Sequence, residues 1–174
     1  STGGAIWVTK NSDVTFDNCT WSNNQSGNTS GAVYIAQDCT VEFNKCTLTN
    51  NTAVKAAGAV RNDANSNVTF TDCTFENNTS STSAGGAIYN SGGVIDINGG
   101  TFNGNKAGTY GGAIYSGSKV TIQGGSFADN TADIAYGTIC MGGNSKELNI
   151  YGGTITGDAT KNNCALYVSG NAVA

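Results

Sequence analysis

The stretch GGAIYNSGGVIDINGGTFNGNKAGTYGGAIYSGSKVTIQGGSFADN, residues 85–130, contains one pattern twice. Each copy begins with Gly-Gly-Ala-Ile-Tyr, continues with alternating apolar residues and ends in a segment with Gly, Thr or Ser, and Phe. Aligned on its alanine, the pattern recurs along the sequence at steps of 27, 27, 28, 26, 25 and 27 residues. The aligned column is Ala5, Ala32, Ala59, Ala87, Ala113, Thr138 and Ala165. A period this short and regular indicates a solenoid.

Each period contains three short segments in which apolar and polar residues alternate, as in a half-buried β-strand. The first segment is centred on Ile6, Val33, Val60, Ile88, Ile114, Ile139 and Leu166. The second spans 14–16, 41–43, 68–70, 95–97, 120–122 and 148–150. The third begins at Cys19, Cys46, Cys73, Gly100, Gly125 and Gly153. One turn of chain cannot bury its own apolar side chains, whereas turns stacked at ~4.8 Å bury those of their neighbours.

We therefore predict an all-β fold, a right-handed parallel β-helix with three sheets and about six rungs of 25–28 residues. Residues 1–174 form a single domain in this interpretation. The right hand follows from the general preference of parallel crossover connections. Gly at the rung boundaries and polar loops after the third strands are expected to form the corners.

An asparagine column supports the same alignment. It comprises Asn24, Asn51, Asn78, Asn105 and Asn130, followed by Asp158. Amides stacked on successive rungs can hydrogen-bond along the axis and form a structural ladder. The alternative is that Asn only tolerates the dihedral angles of a turn.

The cysteines Cys19, Cys46 and Cys73 share one inward column on three adjacent rungs. We favour buried small apolar groups, because parallel side-chain vectors and an odd number do not allow full disulfide pairing. One disulfide in the column remains an alternative. A metal site is not expected, because the sequence has no His and stacked thiols are not tetrahedral.

An aromatic-rich column follows the first strand's inward residue and should point outward. It reads Trp7, Tyr34, Arg61, Tyr89, Tyr115, Cys140 and Tyr167. Exposed aromatic side chains in a row are suited to the apolar faces of sugars, so Trp7, Tyr34, Tyr89, Tyr115 and Tyr167 are the candidate ligand-binding residues. The alternative is that these rings pack on one another and only seal the corner.

Composition and charge exclude several function classes. The net charge is -4 and only 11% of residues are charged, which argues against nucleic acid and anionic membranes as partners. No apolar run is long enough to insert into a bilayer. The carboxylates are spread over different columns, and without His a Ser-His or Cys-His nucleophile cannot form. We therefore predict no catalytic residues, no cofactor and no enzymatic activity.

Repeated motifs carry a family resemblance. Gly3-Gly-Ala-Ile6, Gly85-Gly-Ala-Ile88 and Gly111-Gly-Ala-Ile114, with Phe-x-x-Asn segments such as Phe75 to Asn78, resemble the GGA(I/L/V) and FxxN repeats of chlamydial polymorphic outer-membrane proteins. The stretch 85–130 is similar to repeats in large surface proteins of gut bacteria and in adhesin-like proteins of methanogenic archaea. The resemblance implies a right-handed β-helix and an autotransporter-like adhesin. Arg61 in place of an aromatic residue departs from the pattern, and the matched residues are corner and core positions.

The expected function is that of a non-enzymatic adhesin-like or stalk segment of a larger secreted cell-surface protein, located extracellularly or at the cell surface. Its expected partners are glycans or a host surface. The alternative is a structural filament subunit that polymerises end to end, since the repeat has no evident capping helix and bare solenoid ends expose unpaired strands. An ice-binding surface built on the outward column Thr20, Thr47, Thr74, Thr101, Ser126 and Thr154 and a polysaccharide lyase rank below both.

Overall fold

The computed structural model describes residues 3–143, 147–157 and 164–169. Over these residues the chain winds through about six turns, every strand pairing is parallel, and there is no helix. The predicted all-β parallel solenoid is confirmed. Ile88 pairs with Ile114 on the next turn, and the two side chains are fully buried.

The first sheet contains the first strand of every turn. With strands numbered in chain order, it comprises β1 (Ile6–Val8), β5 (Val33–Ile35), β9 (Val60–Asn62), β13 (Ile88–Asn90), β16 (Ile114–Ser116), β19 (Ile139–Met141) and β22 (Leu166–Val168). Each strand pairs with its equivalents on adjacent turns in the register that the sequence predicts.

The second sheet contains both the second and the third predicted strands of each turn. It comprises β2 (Asp13–Asp17), β3 (Thr20–Ser22), β6 (Thr40–Asn44), β7 (Thr47–Thr49), β10 (Asn67–Thr71), β11 (Thr74–Glu76), β14 (Val94–Asn103), β17 (Val120–Ala128), β20 (Leu148–Ile150) and β21 (Thr154–Ile155). The third sheet has two-residue strands: β4 (Gln25–Ser26), β8 (Thr52–Ala53), β12 (Thr79–Ser80), β15 (Lys106–Ala107) and β18 (Thr131–Ala132).

The sheet boundaries differ from the sequence prediction in one respect. The second and third predicted strands belong to one sheet because β14 and β17 run without interruption through their Gly-Gly pairs. In the first three turns two residues separate the two strands. The first of them is left-handed, namely Asn18, Lys45 or Asp72, with φ of 52°, 51° and 50°. The third sheet is formed instead by the short strands that follow the asparagine column.

The corners use asparagine and aspartate as well as glycine. Left-handed backbone at non-glycine residues occurs at Asn11, Asp38 and Asn65 before the second strand, and at Asn23, Asn50, Asn77 and Asp129 after the third strand. Asn and Asp tolerate this conformation better than other residues with a side chain. The polar residues that the sequence interpretation assigned to loops therefore set the turn geometry.

Aromatic side chains form the interior of the second sheet. Phe43 and Phe70 stack with ring centroids 4.9 Å apart, and Phe75 stacks on Phe102 at 4.6 Å. Phe102 in turn stacks on Phe127 at 4.5 Å, with an interplanar angle of 7°. All five side chains are fully buried. Because the turns are equally spaced, each ring in these stacks buries one face of the ring on the next turn.

Replacing Phe75 by Ala should lower the free energy of unfolding by about 3–5 kcal/mol, since it removes a buried ring that packs against both Phe70 and Phe102. Phe75→Leu is the matched control because Leu48 already occupies the same column one turn earlier, and it should cost less than about 2 kcal/mol. Chemical denaturation measures both. Equal losses of unfolding free energy for the two variants would show that filling the Phe75 position with an apolar side chain does not stabilise the core.

Candidate binding face and internal ladders

The predicted outward column lies on the first sheet in the predicted order. Strand pairing places the residues of this column on successive turns along the axis, in the order Trp7, Tyr34, Arg61, Tyr89, Tyr115, Cys140 and Tyr167. We call this column the aromatic face. Trp7 is 62% exposed, Cys140 is buried, and the remaining side chains are half-buried. The column is therefore an accessible surface of the rod along most of its length.

The rings of the aromatic face contact one another along the axis. Tyr89 and Tyr115 stack with centroids 5.0 Å apart and an interplanar angle of 21°. Trp7 meets Tyr34 edge to face at 5.9 Å. Because the stacked ring faces of Tyr89 and Tyr115 are directed at each other, this pair offers mainly ring edges and hydroxyl groups to a ligand. Burial raises the pKa of Tyr115, whose hydroxyl lies over the backbone of Gly142 on the next turn.

Arg61 occupies the gap between the two aromatic segments. Its Cζ lies 5.9 Å from the ring centroid of Tyr34 and 5.3 Å from that of Tyr89. Its Nε donates to Asp63 Oδ1 at 2.8 Å, and the hydroxyl of Tyr34 donates to Asp63 Oδ2 at 2.5 Å. Burial and this contact with Asp63 raise the pKa of Tyr34. The residue that departs from the aromatic pattern thus continues the stack through cation–π contacts.

A second tyrosine stack, which the sequence interpretation did not identify, lies beside the aromatic face. Tyr110 stacks on Tyr136 at 5.5 Å, and Tyr136 stacks on Tyr167 at 3.5 Å. Tyr167 joins this stack because its neighbour in the aromatic face, Cys140, has no ring. The available signal was that Tyr110 and Tyr136 both stand directly before a glycine of the repeat.

The asparagine column forms a continuous chain of side-chain hydrogen bonds. The Nδ2 of Asn24 donates to Asn51 Oδ1 at 2.9 Å, and Asn51 donates likewise to Asn78 at 3.0 Å. The series continues from Asn78 to Asn105 and from Asn105 to Asn130, both at 2.9 Å. Each acceptor oxygen also receives the backbone N–H of the preceding asparagine in the column. Asp158 lies outside the described residues.

The two roles considered for asparagine, a hydrogen-bonded ladder and a left-handed turn, are both present, on adjacent residues of the chain. Asn77, for example, is exposed and left-handed with φ of 54°, whereas Asn78 is fully buried in the ladder. The same division holds for Asn50 and Asn51. One residue of each pair sets the turn and the next supplies the hydrogen bonds.

A second buried polar ladder lies inside the first sheet and was not predicted. Asn62 Nδ2 donates to Asn90 Oδ1 at 3.1 Å, and Asn90 Nδ2 donates to Ser116 Oγ at 2.9 Å. These three positions share a column with Ile35, which has no polar side-chain atom. The Oδ1 of Asn62 consequently has no hydrogen-bond partner among the described residues.

The three cysteines of the inward column are separate thiols. Cys46 Sγ donates to the backbone oxygen of Phe16 at 3.3 Å, and Cys73 Sγ donates to that of Phe43 at 3.2 Å. Cys46 and Cys73 are buried, and Cys19 is partly buried. Burial raises the pKa of Cys46 and raises that of Cys73 to about 11. Cys46 and Cys73 therefore occupy their column as protonated donors near neutral pH.

The carboxylates are dispersed over the surface. Within the part of the chain that the structure describes, there is no group of three or more His, Cys, Asp or Glu side chains that could hold a metal ion. Glu42 and Asp96 share an outward column, but Thr69 lies between them on the intervening turn. Over that same part, the structure contains no helix of the length and apolarity needed to cross a membrane.

The parallel pairing, the six-turn axis and the stacked inward columns together define a β-solenoid repeat protein. The chain belongs to the family described as the right handed beta helix region, whose model matches residues 1–127. That match confirms the predicted right hand. No curated protein and no solved structure is significantly similar to the chain.

Replacing Asn78 by Ala should lower the free energy of unfolding by about 3 kcal/mol or more. The change removes the acceptor of two Asn51 donors in a fully buried ladder. Asn77→Gly is the matched control, since glycine accepts the left-handed conformation of this exposed neighbour, and it should change stability by less than about 1 kcal/mol. Thermal and urea unfolding measure the stability of both variants. Similar losses of stability for Asn78→Ala and Asn77→Gly would contradict the assignment of the ladder to Asn78 and of the turn to Asn77.

Alkylation with iodoacetamide at pH 8, read by peptide mass spectrometry, should modify exposed Cys164 and spare Cys73 in the folded protein. The pKa of Cys73 is raised from 9.0 to about 11, so its protonated form is favoured by folding. This contribution to stability is complete below pH 9 and is lost as pH rises through about 11. Equal labelling rates for the two thiols at pH 8 would show that the Cys73 column is open.

Proposed function

We propose that this chain is a non-enzymatic adhesin-like or stalk segment of a secreted cell-surface protein, and that its aromatic face contacts glycans or a host surface. The observation that carries the proposal is the row of half-exposed aromatic side chains held in register on one sheet. Such residues combine a large contact area with a polar hydroxyl, which suits them to binding surfaces.

The stacking geometry supports a particular mode of contact. Since Tyr89 and Tyr115 cover each other's faces, a sugar would meet their ring edges and accept or donate hydrogen bonds at their hydroxyl groups. The stack also fixes the side chains before a ligand arrives. Fixed side chains lose less conformational entropy on binding, which favours affinity on an otherwise shallow surface.

The stalk role is supported by the continuity of the interior. The asparagine ladder joins five consecutive turns without a missing hydrogen bond. The buried aromatic rings follow the same axis and contact one another from turn to turn. A rod whose turns are joined by both types of contact resists bending, as a spacer at a cell surface requires.

The dispersal of the carboxylates supports a non-enzymatic role. Acid-base hydrolysis of a glycosidic bond requires two carboxyl groups that flank the same bond. Glu42 and Asp96 lie two strands apart in one column, with Thr69 between them on the intervening turn. Lys106 with Asp133 and Lys119 with Glu147 form ion pairs at the surface, which engage further charged groups with each other.

The double variant Tyr89→Ala and Tyr115→Ala should weaken binding to glycan-array ligands of the native protein by about tenfold or more, because it removes the ring edges and the hydroxyl groups together. Replacing both residues by Phe is the matched control. It keeps the stacked rings and removes only the hydroxyl groups, so it should give a smaller loss.

Circular dichroism and thermal unfolding establish whether both double variants keep the fold. Unchanged glycan binding by a folded alanine variant would exclude the aromatic face as the contact surface. A native protein that binds neither glycans nor host cells would contradict the adhesive part of the proposal and leave the stalk role.

A further inference from the structure

Arg61 is the only arginine of the chain, and it stands in the middle of the aromatic face. The rings of Tyr34 and Tyr89 lie on its two axial sides, at 5.9 Å and 5.3 Å from Cζ. The guanidinium is therefore one layer of the stack, partly shielded from water along the axis. Its side chain is 22% exposed, so one edge still reaches solvent.

Asp63 holds the guanidinium in a fixed orientation. Its Oδ1 accepts a hydrogen bond from Arg61 Nε at 2.8 Å, and its Oδ2 accepts one from the hydroxyl of Tyr34. Both carboxylate oxygens are thus engaged with this pair of side chains. The Asp63 side chain is only 16% exposed, so a largely buried carboxylate holds the Arg61 side chain in place.

The hydrogen bond that Arg61 makes within residues 3–143 uses Nε, which leaves the two Nη atoms for other acceptors. The planar N–H fork of arginine matches the two oxygens of a carboxylate or sulfate and binds them in bidentate fashion. Partial exclusion of water by flanking rings strengthens such a bond. The ring of Tyr89, on the neighbouring turn, lies 5.3 Å from Arg61 Cζ and is close enough to contact the rest of the same sugar.

We infer that Arg61, positioned by Asp63 and flanked by Tyr34 and Tyr89, is an anion-recognition site that takes the carboxylate of an acidic glycan. This inference rests on the proposed binding role of the aromatic face and specifies its ligand class. A sulfate group has the same hydrogen-bonding chemistry and is distinguished by experiment. Because Asp63 balances the charge of Arg61, recognition depends on the geometry of the fork more than on a broad positive field.

Binding should be measured for a glucuronate-containing oligosaccharide, for its methyl ester and for an O-sulfated neutral oligosaccharide. The native protein should prefer the free acid to the ester by about tenfold. Arg61→Gln should remove that preference, so that the free acid and the ester bind equally well. Arg61→Lys keeps the charge but not the planar fork, so it should retain only part of the preference. Strongest binding to the sulfated ligand would identify sulfate as the natural group.

Labelling with ¹⁵N-arginine gives a second measurement, since the chain has a single Arg Nε–H and it belongs to the same guanidinium as the Nη atoms that would bind the carboxylate. Its NMR signal should shift on titration of the folded native protein with glucuronate and stay unchanged with methyl glucuronate ester. Thermal unfolding of both variants verifies their fold. If Arg61→Gln fails to fold, Arg61→Lys and the titration decide the matter.

The failure of this inference differs from the failure of the proposed function. Equal binding of acid and ester by the native protein, together with an unchanged Nε–H signal, would overturn the anion site and keep the aromatic face as a neutral glycan surface. Absence of binding to every surface-immobilised glycan would contradict the adhesive role. A glucuronate-dependent shift of the Nε–H signal would still support the site in that case.

Discussion

From Val33 to Ile139, the inward side chains of the first sheet's leading column are buried by the equivalent side chains one turn along the axis. A single turn has no interior of its own, so the hydrophobic contribution arises only between turns that stay in register. The constraint applies to polar groups as well. Asn78 bonds to its counterparts Asn51 and Asn105, and the ring of Phe102 lies between those of Phe75 and Phe127. Repetition of residue type along each column follows directly.

The same register organises the outer surface. Strand pairing brings side chains of one column to neighbouring turns, where aromatic rings gain more from stacking than from standing apart in water. The stack changes what the surface can offer, since ring faces are used internally. Arg61 fits because a planar guanidinium also stacks on rings while it keeps hydrogen-bond donors at its edge. One substitution thus introduces a charged group without interrupting the column.

The sequence was sufficient to predict the turns, the strand register and the order of the aromatic face, because these depend on spacing alone. The joined second sheet was not predicted, since it depends on whether Asn18 and its equivalents or a Gly-Gly pair connect the strands. The ladder from Asn62 to Ser116 was missed because apolar Ile35 shares its column. Tyr167 contacts Tyr136 rather than a column neighbour, and spacing carries no information on ring rotation.

Each amide from Asn24 to Asn105 donates to the asparagine on the following turn, and each from Asn51 to Asn130 accepts from the one on the preceding turn. Dipoles of paired peptide groups in a sheet largely alternate, but these side-chain dipoles point the same way and add. The amides between Asn24 and Asn130 consequently give the solenoid a net side-chain dipole along its axis. Two solenoids could continue one asparagine ladder across their ends only in a head-to-tail arrangement. A turn whose asparagine amides pointed the opposite way would place one Nδ2 donor against another.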